Sequence, residues 1–444
     1  MKLKNIFKVL LLAILALQVV SCDNKESVES PFNATPTERL NAQKEVLNNL
    51  LESSEFGWKA IYYTDTTQLG GFTHVFKFKD GKVDMASDFD DDTSVYSSEY
   101  SIAIGSTVSL LFTTKNRIHL LSDSDNYPIS SLRGKGYLGD FQFLYYGQDN
   151  GDIVFKTNRS FKELRFVKAK ASDWTDLAKA RLMIPNVSGA STRPLFRLLE
   201  TNDGAKVSQY DFTYTEATRY ATSNSIEAGS SKTSNVGIAY TATGIKVSPP
   251  VKVGTKTLTD FTYDATTGNF NAAADGVTAS IKYSNKPLVL TDDYKALLTG
   301  QPYTRFSYYD DDVTADAPTN SALFKAEIDK INAGLPSGQS ISGVELYLNH
   351  SLGNFIYYTF NGRGAIFHYI TVKEDAANKT LILGHDRWSG GFTTSPSYLA
   401  GFDKQLLDTK GIYVKKENFR IVYSNTVYTF TSASSSFRMT TWKR

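Results

Sequence analysis

Cysteine is almost absent from this 444-residue chain, with Cys22 as its single representative. No intramolecular disulfide can form, and past Cys22 there is no thiol for a nucleophile or a paired-cysteine zinc site. Histidine is scarce too: there are five, and no two have the HExxH spacing that places two zinc ligands on one helix face. A phosphate-cradling glycine loop, a dinucleotide fingerprint and a G-x-S-x-G elbow are also missing. The formal charge is only +2, which argues against a general polyanion binder and against nucleic acid as a partner. Long hydrophobic runs are lacking. The one candidate, Val9 to Val20, is broken by Gln18. At about 1.5 Å per residue it reaches roughly 18 Å, well short of a hydrocarbon core of about 30 Å.

That short run has a different meaning in context. Lys2, Lys4 and Lys8 precede it, and Val19-Val20-Ser21-Cys22 closes it. A charged start, a short apolar stretch and small residues before a processing point form the pattern of an export signal. A lone cysteine directly behind the run resembles the lipobox of bacterial lipoproteins, in which the thiol is acylated and the chain is cut just before it. The resemblance implies a signal peptide over 1–21, lipidation of Cys22 and attachment to a membrane through that lipid. One acyl chain holds a protein only marginally, whereas several hold it firmly. Cleavage would remove three lysines and no acid, moving the formal charge from +2 to −1. Residues 22–34, polar and without periodicity, read as a tether.

The remainder is rich in strand formers. It carries 26 Tyr and 27 Phe, dense Ser and Thr, and short alternating runs between turn signals such as Asp80-Gly81, Asn150-Gly151, Asp203-Gly204 and Asn361-Gly362. The expected fold class is mainly β, with two or three antiparallel β-rich units and a few short packing helices. Its units are expected at 35–185, 190–300 and 301–444. The best-marked helix follows Thr35-Pro36-Thr37-Glu38, a capping box with proline at the first helical position. Others are predicted at 172–184, 291–299, 320–333 and 397–410. An internal echo between 110–123 and 237–250 suggests related units.

Several segments, "SSEFGWKAIYY", "GGFTHVFKF", "DGKVDMASDF", "NRIHLLSD" and "GYLGDFQF", together resemble a family of Bacteroidota outer-membrane lipoproteins known as domain of unknown function 4302. The resemblance implies an outer-membrane, cell-surface lipoprotein. It further implies a SusC/SusD-like nutrient-uptake complex as partner, and it carries no functional residue beyond the lipidated Cys22.

Candidate chemistry is sparse. In "SDFDDDTSVYSSEY", Asp88, Asp90, Asp92 and Glu99 fall on positions 1, 3, 5 and 12 of a calcium loop. Thr93 stands where that loop needs glycine, and both flanks alternate like strands, so an EF-hand is disfavoured. The readings left are a solvated acidic connection held open by repulsion and a different Ca2+ loop between strands. No other cofactor is expected. His74 and His368 share strand faces with apolar residues and read as hydrogen-bonded core histidines. Four tyrosine pairs, Tyr62-Tyr63, Tyr145-Tyr146, Tyr308-Tyr309 and Tyr357-Tyr358, should each send one ring inward and one outward. Outward rings, joined by Trp58 and Trp388 beside glycine turns, could stack on sugar faces.

Taken together, these features describe a lipid-anchored binding or accessory protein of the cell envelope, capturing a glycan or peptide nutrient beside an uptake system. One alternative is a carboxylate-pair hydrolase of glycosidase type, which leaves no local motif. Another is a structural or adhesive surface lipoprotein. Enzymatic activity is the less favoured class.

Overall fold

A computed structural model describes residues 34–190, 193–312, 314–420 and 425–444. The predicted export signal, Cys22 and nearly all of the predicted tether lie outside the described residues. Three antiparallel sheets follow one another along the chain. The first comprises β1 (Trp58–Tyr63), β2 (Gly71–Lys79), β3 (Lys82–Ser87), β4 (Tyr96–Ile104), β5 (Val108–Phe112), β6 (Gln142–Asp149), β7 (Asp152–Thr157) and β8 (Glu163–Lys168). It pairs in chain order and closes into a barrel through β1 and β8.

The middle sheet holds β9 (Phe196–Asn202), β10 (Val207–Asp211), β11 (Thr213–Thr215), β12 (Tyr220–Thr222), β13 (Val236–Thr241), β14 (Gly244–Val253), β15 (Lys256–Asp264), β16 (Asn269–Ala274) and β17 (Val277–Ser284). Its order is β10-β9-β17-β16-β15-β14-β13-β12-β11, without a ladder between the end strands. The third sheet holds β18 (Thr304–Tyr309), β19 (Ser340–His350), β20 (Gly353–Asn361), β21 (Ile366–Asp375), β22 (Thr380–Trp388), β23 (Ile412–Lys416), β24 (Thr426–Ser432) and β25 (Arg438–Lys443). It closes into a second barrel through β18 and β25. The expected mainly β class, with antiparallel units and few helices, is the one found.

The helices are α1 (Pro36–Glu52), α2 (Ala171–Arg181), α3 (Ile184–Ser188), α4 (Ala322–Ala333) and α5 (Ala400–Leu406). The start of α1 follows its sequence. The Thr35 hydroxyl accepts from the Glu38 N–H at 3.3 Å, and the Glu38 carboxylate accepts from the Thr35 N–H at 2.8 Å. Leu47 and Leu51 are buried against the first barrel, each contributing on the order of 2 kcal/mol by removing apolar surface from water. Past the helix, Gly57 has φ +80, and a Cβ there would stand 1.9 Å from the Phe76 carbonyl oxygen, so only glycine fits.

The three interiors differ. Phenylalanines fill the first barrel: Phe76, Phe78, Phe112, Phe143, Phe155 and Phe166, with Phe76 stacked on Phe166 at 4.7 Å. Aliphatic residues such as Val344, Leu346, Leu348, Ile356 and Ile370 dominate the third, where Phe324 of α4 and Phe402 of α5 join the same core. Mostly smaller side chains, including Val236, Val247, Val251, Val253 and Ala279, pack the middle sheet.

Arg219, in the turn before β12, locks the first two sheets together. Its guanidinium donates to Gly71 O at 3.0 Å, to Asp88 Oδ2 at 3.1 Å and to the Asp88 carbonyl, and it lies 4.1 Å over the Phe72 ring. Glycine permits the contact, since a Cβ on Gly237 would meet Leu69 O at 2.5 Å. The echo expected between 110–123 and 237–250 does not mark equivalent elements. The first segment ends β5 and enters a 3-10 turn at Arg117–Leu121, whereas the second is the β13–β14 hairpin.

Candidate ligand-binding face

Strands β18 to β22 form one wall of the third barrel. Along β20 and β21 the inward positions Ile356, Tyr358, Ile366, His368 and Ile370 are buried. The outward positions would ordinarily be polar; here they are aromatic. Cross-strand register aligns them in two rows. Arg305, Tyr347, Phe355, Tyr369 and Arg387 form one, with each residue opposite the next. Glu345, Tyr357 and Phe367 form the other.

The rings are in contact throughout. Tyr347 stacks on Phe355 at 4.6 Å and 17°, Phe355 meets Tyr369 at 5.6 Å, and Tyr357 meets Phe367 at 4.6 Å. Phe355 also touches Phe367 at 5.4 Å, linking the rows. Arginines terminate the first row. The Arg387 guanidinium lies 3.9 Å over Tyr369, and Arg305 donates to the Tyr347 hydroxyl at 3.0 Å. Burial and the Glu345 carboxylate push the Tyr347 hydroxyl up from its ordinary range, against the pull of Arg305. Tyr303, half exposed, extends the face toward His350 at 5.3 Å. Four strand spacings of about 4.8 Å give the first row a length of roughly 19 Å.

Of the rings singled out from sequence, Tyr357 belongs to this face. Each pair does split as alternation requires, but most of the rings have structural duties. Tyr62, Tyr308 and Tyr358 are core residues at 2%, 4% and 0% exposure. Tyr63 donates to Lys246 O at 2.9 Å, tying the first barrel to the middle sheet. Tyr145 packs on Phe155, Tyr146 is exposed beneath the Lys156 ammonium, and Tyr309 lies against Gly343 under Arg444. Trp58 and Trp388 correct the expectation of displayed indoles. Trp58 is fully buried, its N–H donating to Leu51 O at 2.8 Å, and Trp388 stacks on His368 at 3.8 Å. Tyr347, Phe355, Phe367 and Tyr369 do not stand in adjacent Tyr-Tyr pairs and so carry no pair signal. Residues on one strand face are spaced by two, and Phe355–Tyr357 and Phe367–Tyr369 carry that signal.

The acidic loop is solvated beyond Asp88, but its carboxylates are paired rather than left to repel one another. Asp88 is buried, accepts the Thr73 N–H at 2.8 Å and pairs with Arg219. Burial pushes its carboxyl up, opposed by Arg219 and the Thr73 N–H. Asp90 pairs with Arg117 and Asp91 with Arg181, while Asp92 accepts from the Tyr96 hydroxyl at 2.5 Å, a bond that holds its carboxyl down at about 2. Glu99 lies out on β4, opposite Lys82. Among the described residues no three His, Cys, Asp or Glu side chains converge as metal ligands, Asp88, Asp90, Asp92 and Glu99 included.

The two core histidines differ. His74 is buried with both ring nitrogens lacking a hydrogen-bond partner, contrary to expectation. Burial, aided by Arg117 and Arg219, lowers its pKa to about 3, so it stays neutral. His368 is bonded as expected: Nδ1 to Asp403 at 2.7 Å and Nε2 to Nδ1 of the exposed His385 at 2.8 Å. Asp403 also accepts from the Tyr358 hydroxyl at 2.7 Å. This chain anchors α5 to the barrel and reaches the surface at His385.

A family model described as a domain of unknown function, DUF4302, matches residues 28–265. It covers the first barrel and most of the middle sheet, so the aromatic face lies beyond the matched segment. No curated protein matches the chain. Among solved structures, the chain is similar to the β subunit of the DNA polymerase of Streptococcus pyogenes at 11% identity, with 89% of this chain and 92% of that one covered and a TM-score of 0.17. The DNA polymerase sliding clamp of Bacillus subtilis aligns at 9% identity over 91% and 96%, with a TM-score of 0.16. A DUF3598-family protein of unknown function from Nostoc punctiforme aligns at 8% identity over 57% and 95%, with a TM-score of 0.15. Scores this low carry no argument about fold or function.

Proposed function

The chain belongs to the DUF4302 family, and from that premise we propose that it is an envelope-tethered capture protein whose ligand is a carbohydrate chain held on the outer face of β18–β22. The tether is the lipid on Cys22, and the site of action is the outer membrane of a Bacteroidota-type cell, facing outward beside a SusC/SusD-like uptake complex. The export pattern and the lipobox resemblance support this setting. No helix among the described residues is long and apolar enough to cross a membrane.

One observation carries the reading: a cluster of contacting aromatic rings on the outside of a barrel whose interior is already filled, with Tyr347, Tyr357, Phe367 and Tyr369 partly exposed around the buried Phe355. Sugar rings present flat C–H faces that stack on aromatic faces, while their rim hydroxyls bond to polar groups. Arg305 and the Tyr347 hydroxyl supply such groups along one edge. An extended chain suits this ring cluster better than a globular partner does, because stacking repeats from one partly exposed ring to the next.

The hydrolase alternative needs two carboxylates facing across a cleft. The cavity of about 680 Å3 at the middle sheet has one lining carboxylate, Asp203, engaged by the N–H groups of Ala205 and Lys206. In the smaller cavity lined by Asp173 and Asp176, the Asp173 carboxylate is paired with Lys59. The test of the proposal is a glycan array probed with the full chain, alongside a variant carrying Tyr347→Ala and Tyr369→Ala. Binding to polysaccharide is expected for the parent and lost in the variant, with the melting temperature little changed. Equal binding by both proteins would overturn it.

A further inference from the structure

The middle sheet carries a second candidate site. At one of its ends lies a cavity of about 680 Å3, lined by residues from β9, β10, β14 and the 232–235 segment. Val253 is the one branched aliphatic side chain in its lining. On β14 the pairing with β15 jumps from Lys246–Asp260 to Val251–Leu258, so three extra residues bulge out and bring Pro249 and Pro250 to the rim. Volumes of about 300–1,000 Å3 are typical of small-ligand sites.

The lining has a definite chemistry. Thr201, Ser208, Thr233, Ser234 and Asn235 offer hydroxyl and amide groups, and Tyr210 with the two prolines offers flat apolar surface. Lys206, Lys232 and Lys252 are the cations. Two carboxylates oppose them. Glu227 is taken by Lys206 at 2.8 Å and is also influenced by Lys232, and Asp203 accepts from the backbone of its own turn. Lys232 and Lys252 make no ion pair within 4 Å among the described residues. The mouth therefore holds an excess of positive charge among many neutral hydrogen-bonding groups.

We infer that this cavity is a second binding site, distinct from the aromatic face, and that it takes a short acidic saccharide, its carboxylate or sulfate held by Lys232 and Lys252. A phosphate alone would leave the hydroxyl-rich wall and the proline rim without a role, and a neutral sugar would leave the two lysines without one. The site goes beyond the capture proposal, since it stands on a different sheet and a different charge.

Titration calorimetry on the full chain tests it with trigalacturonate, a sulfated trisaccharide and neutral maltotriose. At least one acidic probe should bind, weakening about tenfold or more as salt rises to about 0.5 M and by a similar factor in Lys232→Glu or Lys252→Glu. Maltotriose should bind at least about tenfold more weakly. The Tyr347→Ala, Tyr369→Ala variant should keep acidic-probe binding, so loss of one site is told apart from loss of the other. Binding of all three probes alike, indifference to both lysine changes, or no acidic binding in the millimolar range would each overturn the assignment.

Discussion

The two barrels have eight strands each and close in the same way, and both bury aromatic rings, but the third also carries a cluster of rings on one outer wall. In the first, Phe76, Phe78, Phe112 and Phe166 face inward and interlock. In the third, aliphatic side chains fill much of the interior, and Tyr347, Phe355, Tyr357, Phe367 and Tyr369 cover one outer wall. A ring inside a barrel is explained by burial alone, at about 2–3 kcal/mol for each large apolar side chain. On the outer wall of the third barrel the rings cover one another, so Phe355 is 3% exposed, and only the partly exposed Tyr347, Tyr357, Phe367 and Tyr369 are available to a ligand.

Substitution is the direct way to break the comparison. Phe76→Ala, inside the first barrel, should lower stability by about 3–5 kcal/mol through lost transfer energy and a residual cavity. Urea denaturation would read the shift in midpoint. Next comes the clamp between the first barrel and the middle sheet. Asp88→Ala leaves the Arg219 charge buried and uncompensated, so a cost of about 3 kcal/mol or more is expected in the same assay, and adding Arg219→Met should recover part of it.

Acid should act on the first barrel through His74. Its folded pKa, about 3, lies below the ordinary 6.5. The unfolded chain takes up that proton first, so the His74 contribution is complete above pH 6.5 and is lost as pH falls toward 3. The slope is at most about 1.4 kcal/mol per pH unit. Comparing melting curves of the parent with those of His74→Leu over this window isolates the effect; parallel pH profiles would refute it.

On the third barrel the expected stability effects are small. Tyr347→Ala removes a partly exposed ring and should cost about 1 kcal/mol or less in urea while abolishing carbohydrate binding. A loss as large as that of Phe76→Ala would mean that the outer wall is structural after all. The smallest effect expected is none: because Asp88, Asp90 and Asp91 are spent on arginines, neither millimolar calcium nor a chelator should move the melting temperature.

Local signals in the sequence carried over faithfully. The capping box at Thr35, the turns at Asp80-Gly81 and Asn150-Gly151, and the inward–outward split of the tyrosine pairs all depend on residues a few positions apart. Charge partnership was not legible in this way. Asp88 meets Arg219 from 131 positions away, and Asp90 meets Arg117 from 27, so an acidic run that looked self-repelling is neutralised in the fold. The candidate face was half legible: the period of two was present in the sequence, but closure of the barrel decides which period faces out.

By itself, the sequence determined the strand-rich class and the local turns and caps, because backbone preference and alternation act over neighbouring residues. Only the tertiary structure decided which rings are buried, which acids are paired, and that β9, β10 and the β14 bulge enclose an open cavity. Each of those outcomes depends on strands from distant parts of the chain coming within contact distance, where volume and charge are settled between partners that no local pattern identifies.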